Sequence, residues 1–179
     1  MASFMRYSNG VPPDWRMGLR GLQVLICLLV LTACSGSAGT LDITRAVLDP
    51  AGNRLNVDLD LRLSATHLDA LDHGVPLRLE FITAPLAGAG TIEAIELVYS
   101  PLSDHYEMRR SDESAPRVFQ TRAQLLAALD RISLPVAGGA TQGFVRARLN
   151  IDALPPALRM TARFDRRWQL ETRTSPWQA

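Results

Sequence analysis

RLNVDLDLRL, residues 54–63, carries the clearest structural signal in the sequence. Leucine or valine occupies every second position from Leu55 to Leu63, and charged or amide side chains occupy the positions between them. This alternation with a period of two predicts a β-strand with one face in the core and the other in water. The run from Leu41 to Leu48 predicts a partner strand, because residues 49–53, DPAGN, have the composition of a hairpin turn.

The same alternation recurs along the rest of the chain. It predicts further strands at residues 75–81, 92–99, 106–109 and 145–151. The pair Pro155–Pro156 predicts a break, and the spacing of Phe164, Trp168 and Leu170 predicts a last strand after it.

Two helices interrupt the strands. Ser64 is a suitable N-cap for a short helix over residues 65–73, and Gly74 is a suitable stop. Thr121 and Gln124 have the spacing of a capping box, and they begin a helix predicted at residues 121–132. Together these elements predict a mainly β fold, an antiparallel β-sandwich of about seven strands with one clear helix and one short helix.

The N-terminal region has the composition of a secretory signal. Arg16 and Arg20 precede an apolar run at residues 22–31, and small residues follow it. Leu31-Thr32-Ala33-Cys34 resembles the bacterial lipobox, in which the cysteine thiol receives a diacylglyceryl group. Residues 1–33 are therefore predicted to be removed, and Cys34 is the predicted lipid-attachment site. The alternative is a signal anchor that remains uncleaved.

The residues after Cys34 indicate where the protein is held. In bacterial lipoproteins a serine at the next position, here Ser35, directs export to the outer membrane rather than retention in the inner membrane. Residues 34–40 are predicted to form a lipidated tether, and six extended residues reach about 20 Å. Residues 41–177 then form a single domain. The true start is open between Met1, Met5 and Met17.

Composition narrows the possible functions. The chain has 19 arginines, no lysine and 18 acidic residues, and removal of the leader leaves 16 arginines and 17 acids. A net charge near zero argues against nucleic-acid binding. Of the two cysteines, Cys27 leaves with the leader and Cys34 is acylated, so no disulfide or cysteine metal site is expected. No cofactor motif is present. Charge is uneven along the chain, with acids in excess at residues 35–105 and arginines in excess at residues 143–179. This distribution favours ion pairs between strands of the two regions over a basic face that binds anionic lipid.

Candidate catalytic residues are few. The three histidines lack the spacing of a metal site. The sequence GSAG at residues 36–39 lies in the predicted tether and is not typical of a nucleophile elbow. The glycines near residues 88 and 138 are more typical of turns than of a phosphate loop. Carboxylate pairs and two tryptophans are better explained by solvation and packing, although the role of Trp177 stays open. These candidate residues are His67, His73, His105, Asp58, Asp60, Asp112, Glu113, Trp168 and Trp177.

Several segments together resemble a proteobacterial family called domain of unknown function 4390. They are LDHGVPLRLEF at 71–81, LVYSPLSDHYEMR at 97–109, ARLNIDALPPALRM at 147–160 and RRWQLETRTSPW at 166–177. The resemblance covers roughly residues 41–177. It implies an exported envelope protein, with a hint of a link to a sensor kinase, and it supplies no catalytic residues. Asn150 stands where an aspartate is common in the family.

The leading hypothesis is a non-enzymatic, membrane-anchored periplasmic lipoprotein that binds or stabilises an envelope protein partner. It touches the membrane through its N-terminal lipid and binds no nucleic acid. Two alternatives remain open, a carrier of a lipid or cell-wall fragment in a groove or interior, and a hydrolase.

Overall fold

A computed structural model describes residues 38–136 and 140–178. The predicted signal, Cys34 and Ser35 lie outside these residues. Within the described part no helix is both long and apolar enough to cross a bilayer. The elements are β1 (Thr40–Leu48), β2 (Arg54–Arg62), α1 (Ala65–Asp72), β3 (Leu77–Pro85), β4 (Thr91–Ser100), β5 (His105–Arg110), β6 (Arg117–Phe119), α2 (Arg122–Ala127), β7 (Arg131–Pro135), β8 (Gln142–Leu149), α3 (Pro156–Phe164) and β9 (Ser175–Gln178), with 3₁₀ turns at Ile151–Ala153 and Arg166–Trp168.

The nine strands of the described residues form one sheet, in the order β6-β5-β4-β3-β8-β9-β1-β2-β7. Neighbouring strands run antiparallel, except that β1 and β9 are parallel. The fold is therefore mainly β, as predicted. The sandwich is not confirmed, since the strands form a single sheet rather than two.

The sheet curls into a half-barrel. Strand β7, at one end of the strand order, comes opposite β4 and β5: Thr91 Oγ1 donates to the Pro135 carbonyl at 3.3 Å, and Arg110 Nη2 donates to the Ser133 carbonyl at 2.8 Å. Curling lets a single sheet bury its apolar face against itself. The alternating pattern is the same in a sandwich and in a curled sheet, so the sequence did not distinguish them.

The core is the concave face of the half-barrel. Strand β2 contributes Leu55, Val57 and Leu59 from the alternating run, all buried as predicted. The other fully covered side chains of the core come from both halves of the chain: Leu71, Leu77, Leu79, Phe81, Ile95, Leu97, Met108, Leu125, Leu129, Leu134, Val145, Ala147, Leu154 and Ala162.

Helix α1 confirms the predicted short helix. Ser64 is its N-cap, and the Ser64 hydroxyl accepts a hydrogen bond from the His67 backbone N–H at 3.3 Å. Gly74 follows the helix with φ of 77°, and its N–H donates to the Leu71 carbonyl, while Val75 N–H donates to Ala70. This pair of bonds is a Schellman motif, which favours glycine at the left-handed position.

Helix α2 is shorter than the predicted helix at residues 121–132. Thr121 caps it as expected, with Oγ1 accepting from Gln124 N at 3.3 Å, but the helix ends at Ala127. Ile132 lies in β7 instead. This segment also fits a strand, because its buried residues Ile132, Leu134 and Val136 alternate with serine and proline. Pairing with β2 makes it a strand rather than a continuation of the helix.

The region after Pro155 also differs from the prediction. Pro156 begins helix α3 rather than interrupting the chain, since a proline at the first helical position sacrifices no helical hydrogen bond. Phe164 ends that helix, Trp168 lies in a 3₁₀ turn, and the last strand is β9. Trp168 is 4 % exposed, so its predicted packing role is confirmed although its predicted strand is wrong.

Candidate functional site

A groove of about 740 Å³ opens at the end of the half-barrel where β2 extends beyond the neighbouring strand β7. Strand β2 extends to Arg62, but its pairing with β7 stops at Asp58. Beyond that point the inward-facing side chains of β2 lose their cover. We call this the edge groove, and its lining is Leu61, Arg62, Leu63, Leu68, Asp104, Tyr106, Gln120, Thr121, Arg122, Ala123 and Leu126.

The floor of the edge groove is apolar. Leu61 and Leu63 continue the inward series of β2, Leu68 comes from α1, and Leu126 comes from α2. All four are only partly buried, whereas the earlier members of the β2 series are covered. The groove therefore offers contiguous apolar surface with a polar rim, the usual composition of a binding site.

One wall of the groove is a free strand edge. The Leu59 N–H donates to the Asp130 carbonyl at 2.8 Å, and this is the last backbone bond from β2 toward the β7 side in the part of the chain that the structure describes. Backbone groups on one edge of a strand recur every second residue, so those of Leu61 in β2 point to the same side as those of Leu59. An unpaired edge of this kind is a template for another strand.

A network of tyrosines and carboxylates lies at the opposite wall. Tyr106 Oη donates to Asp72 Oδ1 at 2.9 Å, and Arg122 Nη1 contacts Asp72 Oδ2 at 2.7 Å. Tyr99 packs against Tyr106 with ring centroids 4.8 Å apart and ring planes tilted by 40°, and it donates to Asp104 Oδ1 at 2.9 Å. These contacts fix the side chains of the rim before any ligand arrives.

Both tyrosines remain neutral over the physiological range. The hydrogen bond to Asp104 raises the pKa of Tyr99, and burial together with the bond to Asp72 raises the pKa of Tyr106. Each hydroxyl is thus held as a donor to a carboxylate. The rim contributes hydrogen-bonding groups rather than a nucleophile.

Glu80 is the centre of a second polar cluster, on the outer face of the sheet. It is 8 % exposed and accepts hydrogen bonds from Arg148 and from Asn150 Nδ2, the latter at 2.5 Å. This confirms pairing between the acidic and basic parts of the chain for one pair. Arg146, Arg163 and Arg167 instead pair with acids of the C-terminal part, namely Glu171, Asp152 and Asp165.

The three histidines have different surroundings. His67 is fully buried, and its ring meets Trp168 edge-on with centroids 5.3 Å apart. His73 is exposed beside Asp69, and His105 Nε2 lies 3.0 Å from Glu107 Oε1. Across the described residues no three histidine, cysteine or acidic side chains come close enough to hold a metal ion.

The acidic side chains of the candidate carboxylate pairs each contact arginines. Asp58 accepts from Arg131 Nε at 2.9 Å, and Asp60 contacts Arg62 across the wet face of β2. Asp112 and Glu113 both contact Arg110, and the Arg110 hydrogen bond lowers the pKa of Asp112.

Trp177 lies on β9 and is 2 % exposed. Its indole packs over Gly143 on β8, where a side-chain Cβ would come within 2.6 Å of Trp177 Cζ2. The residue whose role the sequence left open is therefore a packing residue. Its buried Nε1 has no hydrogen-bond partner in the described part of the chain.

The geometry defines a β-rich half-barrel domain with an apolar groove at its open end. The family model of Domain of unknown function (DUF4390) matches residues 90–178. The chain therefore belongs to this family, through those residues. Comparison with curated proteins and with solved structures gives no match.

The matched residues run from β4 to β9 and contain three of the four segments that resemble the family. The segment at 71–81 lies before them. The edge groove combines Tyr106 and α2 from the matched part with Leu61 at the end of β2 and Leu63 just after it, both of which precede the matched part. The sequence does not reveal the groove, because β2 and β5, which form its two walls, lie far apart in the chain and no local pattern connects them.

Proposed function

We propose that the protein is a lipid-anchored binding protein of the bacterial cell envelope. Cys34 carries the lipid on the periplasmic side, with the outer membrane favoured by Ser35, and the folded domain binds an envelope protein partner through the edge groove. The role is non-enzymatic. The single observation that carries the binding role is the free β2 edge beside an apolar floor.

The occupant we propose is an extended segment of the partner. An extended chain pairs with free backbone groups on a strand edge and places alternate side chains into the floor beneath it. Leu61 and Leu63 belong to that floor and lie two residues apart, which matches the side-chain period of a strand. Asp104 at the rim offers a negative charge that fixes its direction, whereas Arg122 is already paired with Asp72.

The position of the groove supports a partner at the membrane. Thr40 at the start of β1 pairs with Arg62, which lines the groove. Cys34 precedes Thr40 by six residues, so a lipid on Cys34 holds the groove within about 20 Å of the bilayer surface. A membrane-proximal segment of another envelope protein is within reach there.

Cys34→Ala tests the anchoring. The acylated protein should incorporate labelled palmitate and fractionate with membranes, whereas Cys34→Ala should incorporate none and remain an unprocessed precursor or a soluble product. Cys27→Ala is the matched control and should be acylated normally, since Cys27 leaves with the leader. Equal labelling and fractionation of the Cys34→Ala variant would refute the lipoprotein assignment.

Site-specific photo-crosslinking in the native cell tests the binding role. A photoreactive phenylalanine in place of Gln120, on the groove rim, should form an adduct with a protein partner, and Leu126→Glu should abolish it. The same probe in place of Gln142, exposed at the other end of the sheet, should form no such adduct. Identical adducts from both positions, or adducts that survive Leu126→Glu, would contradict the proposal. Extractable lipid in the groove of detergent-free protein would favour a carrier instead.

A further inference from the structure

We propose that helix α3 and the turn after it form a surface that binds a lipid bilayer containing anionic headgroups. This inference rests on the proposed anchoring at Cys34 and adds a second, non-covalent contact with the same membrane. The α3 face is defined by the apolar side chains Pro156, Met160 and Phe164 and by the arginines Arg159, Arg163, Arg166 and Arg167.

The apolar side chains of the α3 face point into solvent. Met160 is 63 % exposed and Phe164 is 82 % exposed, the highest value for an aromatic side chain in the described residues. Pro156, Met160 and Phe164 are spaced by four, so they form one stripe along the helix. Ala162 and Leu158 face the domain instead. The helix is thus attached by one side and presents apolar groups on the other.

Positive charge borders this stripe. The segment from Asp152 to Trp168 contains four arginines and two aspartates, an excess of two positive charges. Arg163 pairs with Asp152 and Arg167 with Asp165, both at 2.7 Å, while Arg166 has no ion-pair partner in the described part of the chain. An apolar stripe flanked by arginine is the composition of helices that lie in the interface of a membrane. Arginines near an anionic surface are attracted to it electrostatically, and salt weakens that attraction.

The start of the domain lies beside this surface. Gly39 packs against Leu170 and Ser64, since a Cβ there would come within 2.9 Å of Leu170 Cδ2 and 3.1 Å of Ser64 N. Ser64 Oγ donates to the carbonyl of Arg167 at 3.2 Å, in the turn that follows α3. The chain therefore enters the domain next to the C-terminal end of the α3 face.

Chain length then brings the α3 face to the membrane. Cys34 precedes Gly39 by five residues, which span at most about 17 Å. A lipid on Cys34 keeps Phe164 and Arg166 close to the headgroups at high local concentration. This constraint strengthens contacts that are weak in the unanchored chain, and the contacts orient the domain relative to the membrane.

A fluorescent probe at position 160 tests the contact. The acylated mature chain has no free thiol, so Met160→Cys gives one site for an environment-sensitive nitrobenzoxadiazole label. Ile92→Cys is the matched control, because Ile92 is 64 % exposed and lies on β4, where it pairs with Ile82 in the part of the sheet remote from Gly39. Both labelled proteins are reconstituted into phosphatidylethanolamine vesicles with or without phosphatidylglycerol.

The label at position 160 should shift to the blue and be quenched by nitroxide lipids in vesicles that contain phosphatidylglycerol. Added salt or omission of phosphatidylglycerol should reduce both effects, and the label at position 92 should keep its aqueous spectrum. Equal spectra at both positions would overturn the proposal. An equal response at position 160 in vesicles with and without phosphatidylglycerol would also overturn it, since the surface would then not recognise anionic lipid.

Mass spectrometry of the same preparations shows whether Cys34 is acylated, and so distinguishes failure of the α3 contact from failure of the anchoring. An acylated protein with an aqueous label at position 160 leaves the proposed function standing and removes only the α3 contact. If no acyl group is found, the Cys34→Ser chain is tested by flotation with the same vesicles. Its binding should fall about tenfold in the Met160→Ser/Phe164→Ser variant and stay unchanged in Ile92→Ser. Equal flotation of the two variants would overturn the α3 contact independently.

Discussion

Oε2 of Glu80 on β3 accepts two hydrogen bonds from Arg148 on the neighbouring strand β8, from Nε at 3.1 Å and from Nη2 at 2.9 Å. Asn150 supplies a third bond, to Oε1. An ionised carboxylate accepts hydrogen bonds only, so this nearly buried side chain is satisfied by donors alone. An aspartate at position 150 would bring a second carboxylate against Glu80, and the amide of Asn150 avoids that repulsion.

Arg148→Ala should lower the free energy of unfolding by about 1–2 kcal/mol, because it removes two charge-assisted hydrogen bonds from a carboxylate that water reaches poorly. The value is kept modest because the Arg148 side chain itself is 44 % exposed. Urea unfolding measures the change. Arg146→Ala is the control: Arg146 is 43 % exposed on the same strand and lies 3.8 Å from Glu171. Its effect should stay below about 0.5 kcal/mol, and equal losses would contradict a special role of Glu80.

Gly143→Ala should destabilise the domain by about 2 kcal/mol or more. A Cβ at position 143 would come within 2.6 Å of both the Ala84 carbonyl oxygen and Trp177 Cζ2, and neither the β3 backbone nor the buried indole has room to move. Thermal unfolding followed by Trp fluorescence measures the loss. Gln142→Ala, at the adjacent exposed position, should unfold like the parent protein. A fully stable Gly143→Ala variant would show that β8 and β9 lie farther apart than the structure indicates.

Sequence patterns anticipated most of the strands but not their arrangement. The alternation in β2 identifies its buried face, because one side chain in two must leave water in any half-buried strand. It does not show which strand covers that face, so the closure made by Thr91 and Arg110 against β7 came only from the structure. The edge groove was missed for the same reason, since Leu61 and Leu126 line it together only in the folded chain.

The two helix errors have local causes. Ile132 fits both a helical stripe and a strand, and pairing with Val57 on β2 decides for the strand. A proline pair is typical of a chain break, but Pro156 stands at the first position of a helix, where proline is favourable. Helix α3 is unusual because its exposed side carries an apolar stripe. A search for amphipathic helices assumes that the apolar side faces the core, so it does not identify the exposed side of such a helix.

Asp72→Asn should lower the pKa of Tyr106. Burial and the carboxylate together hold that pKa above its ordinary value near 10, and the substitution removes the negative charge that opposes ionisation. Residues 34–179 contain only two tyrosines, Tyr99 and Tyr106, so ultraviolet titration of a chain that starts at Cys34 reports on these two side chains alone. Asp69→Asn, on the same helix but beside the exposed His73, should leave the titration unchanged. An unchanged curve for Asp72→Asn would contradict the hydrogen bond between Asp72 and Tyr106.

His67 couples the stability of the domain to pH. Its ring is fully buried, with Nδ1 accepting from the Ser64 backbone N–H at 3.2 Å and the ring edge against Trp168. Burial lowers the pKa of His67 below 6.5, so the imidazole is neutral in the folded protein at neutral pH. In the unfolded chain the same residue titrates near 6.5.

As the pH falls below about 6.5, the unfolded chain therefore binds a proton that the folded protein does not, and the free energy of unfolding decreases by up to 1.36 kcal/mol per pH unit until the lowered pKa is reached. Above about pH 7.5 this contribution is absent. His67→Asn should be less stable at every pH but should lose that slope, because asparagine does not titrate. His73→Asn, at an exposed position, should keep the slope of the parent protein. Urea unfolding between about pH 5 and 8 gives the three curves, and a His67→Asn curve parallel to that of the parent would show that another group carries the pH dependence.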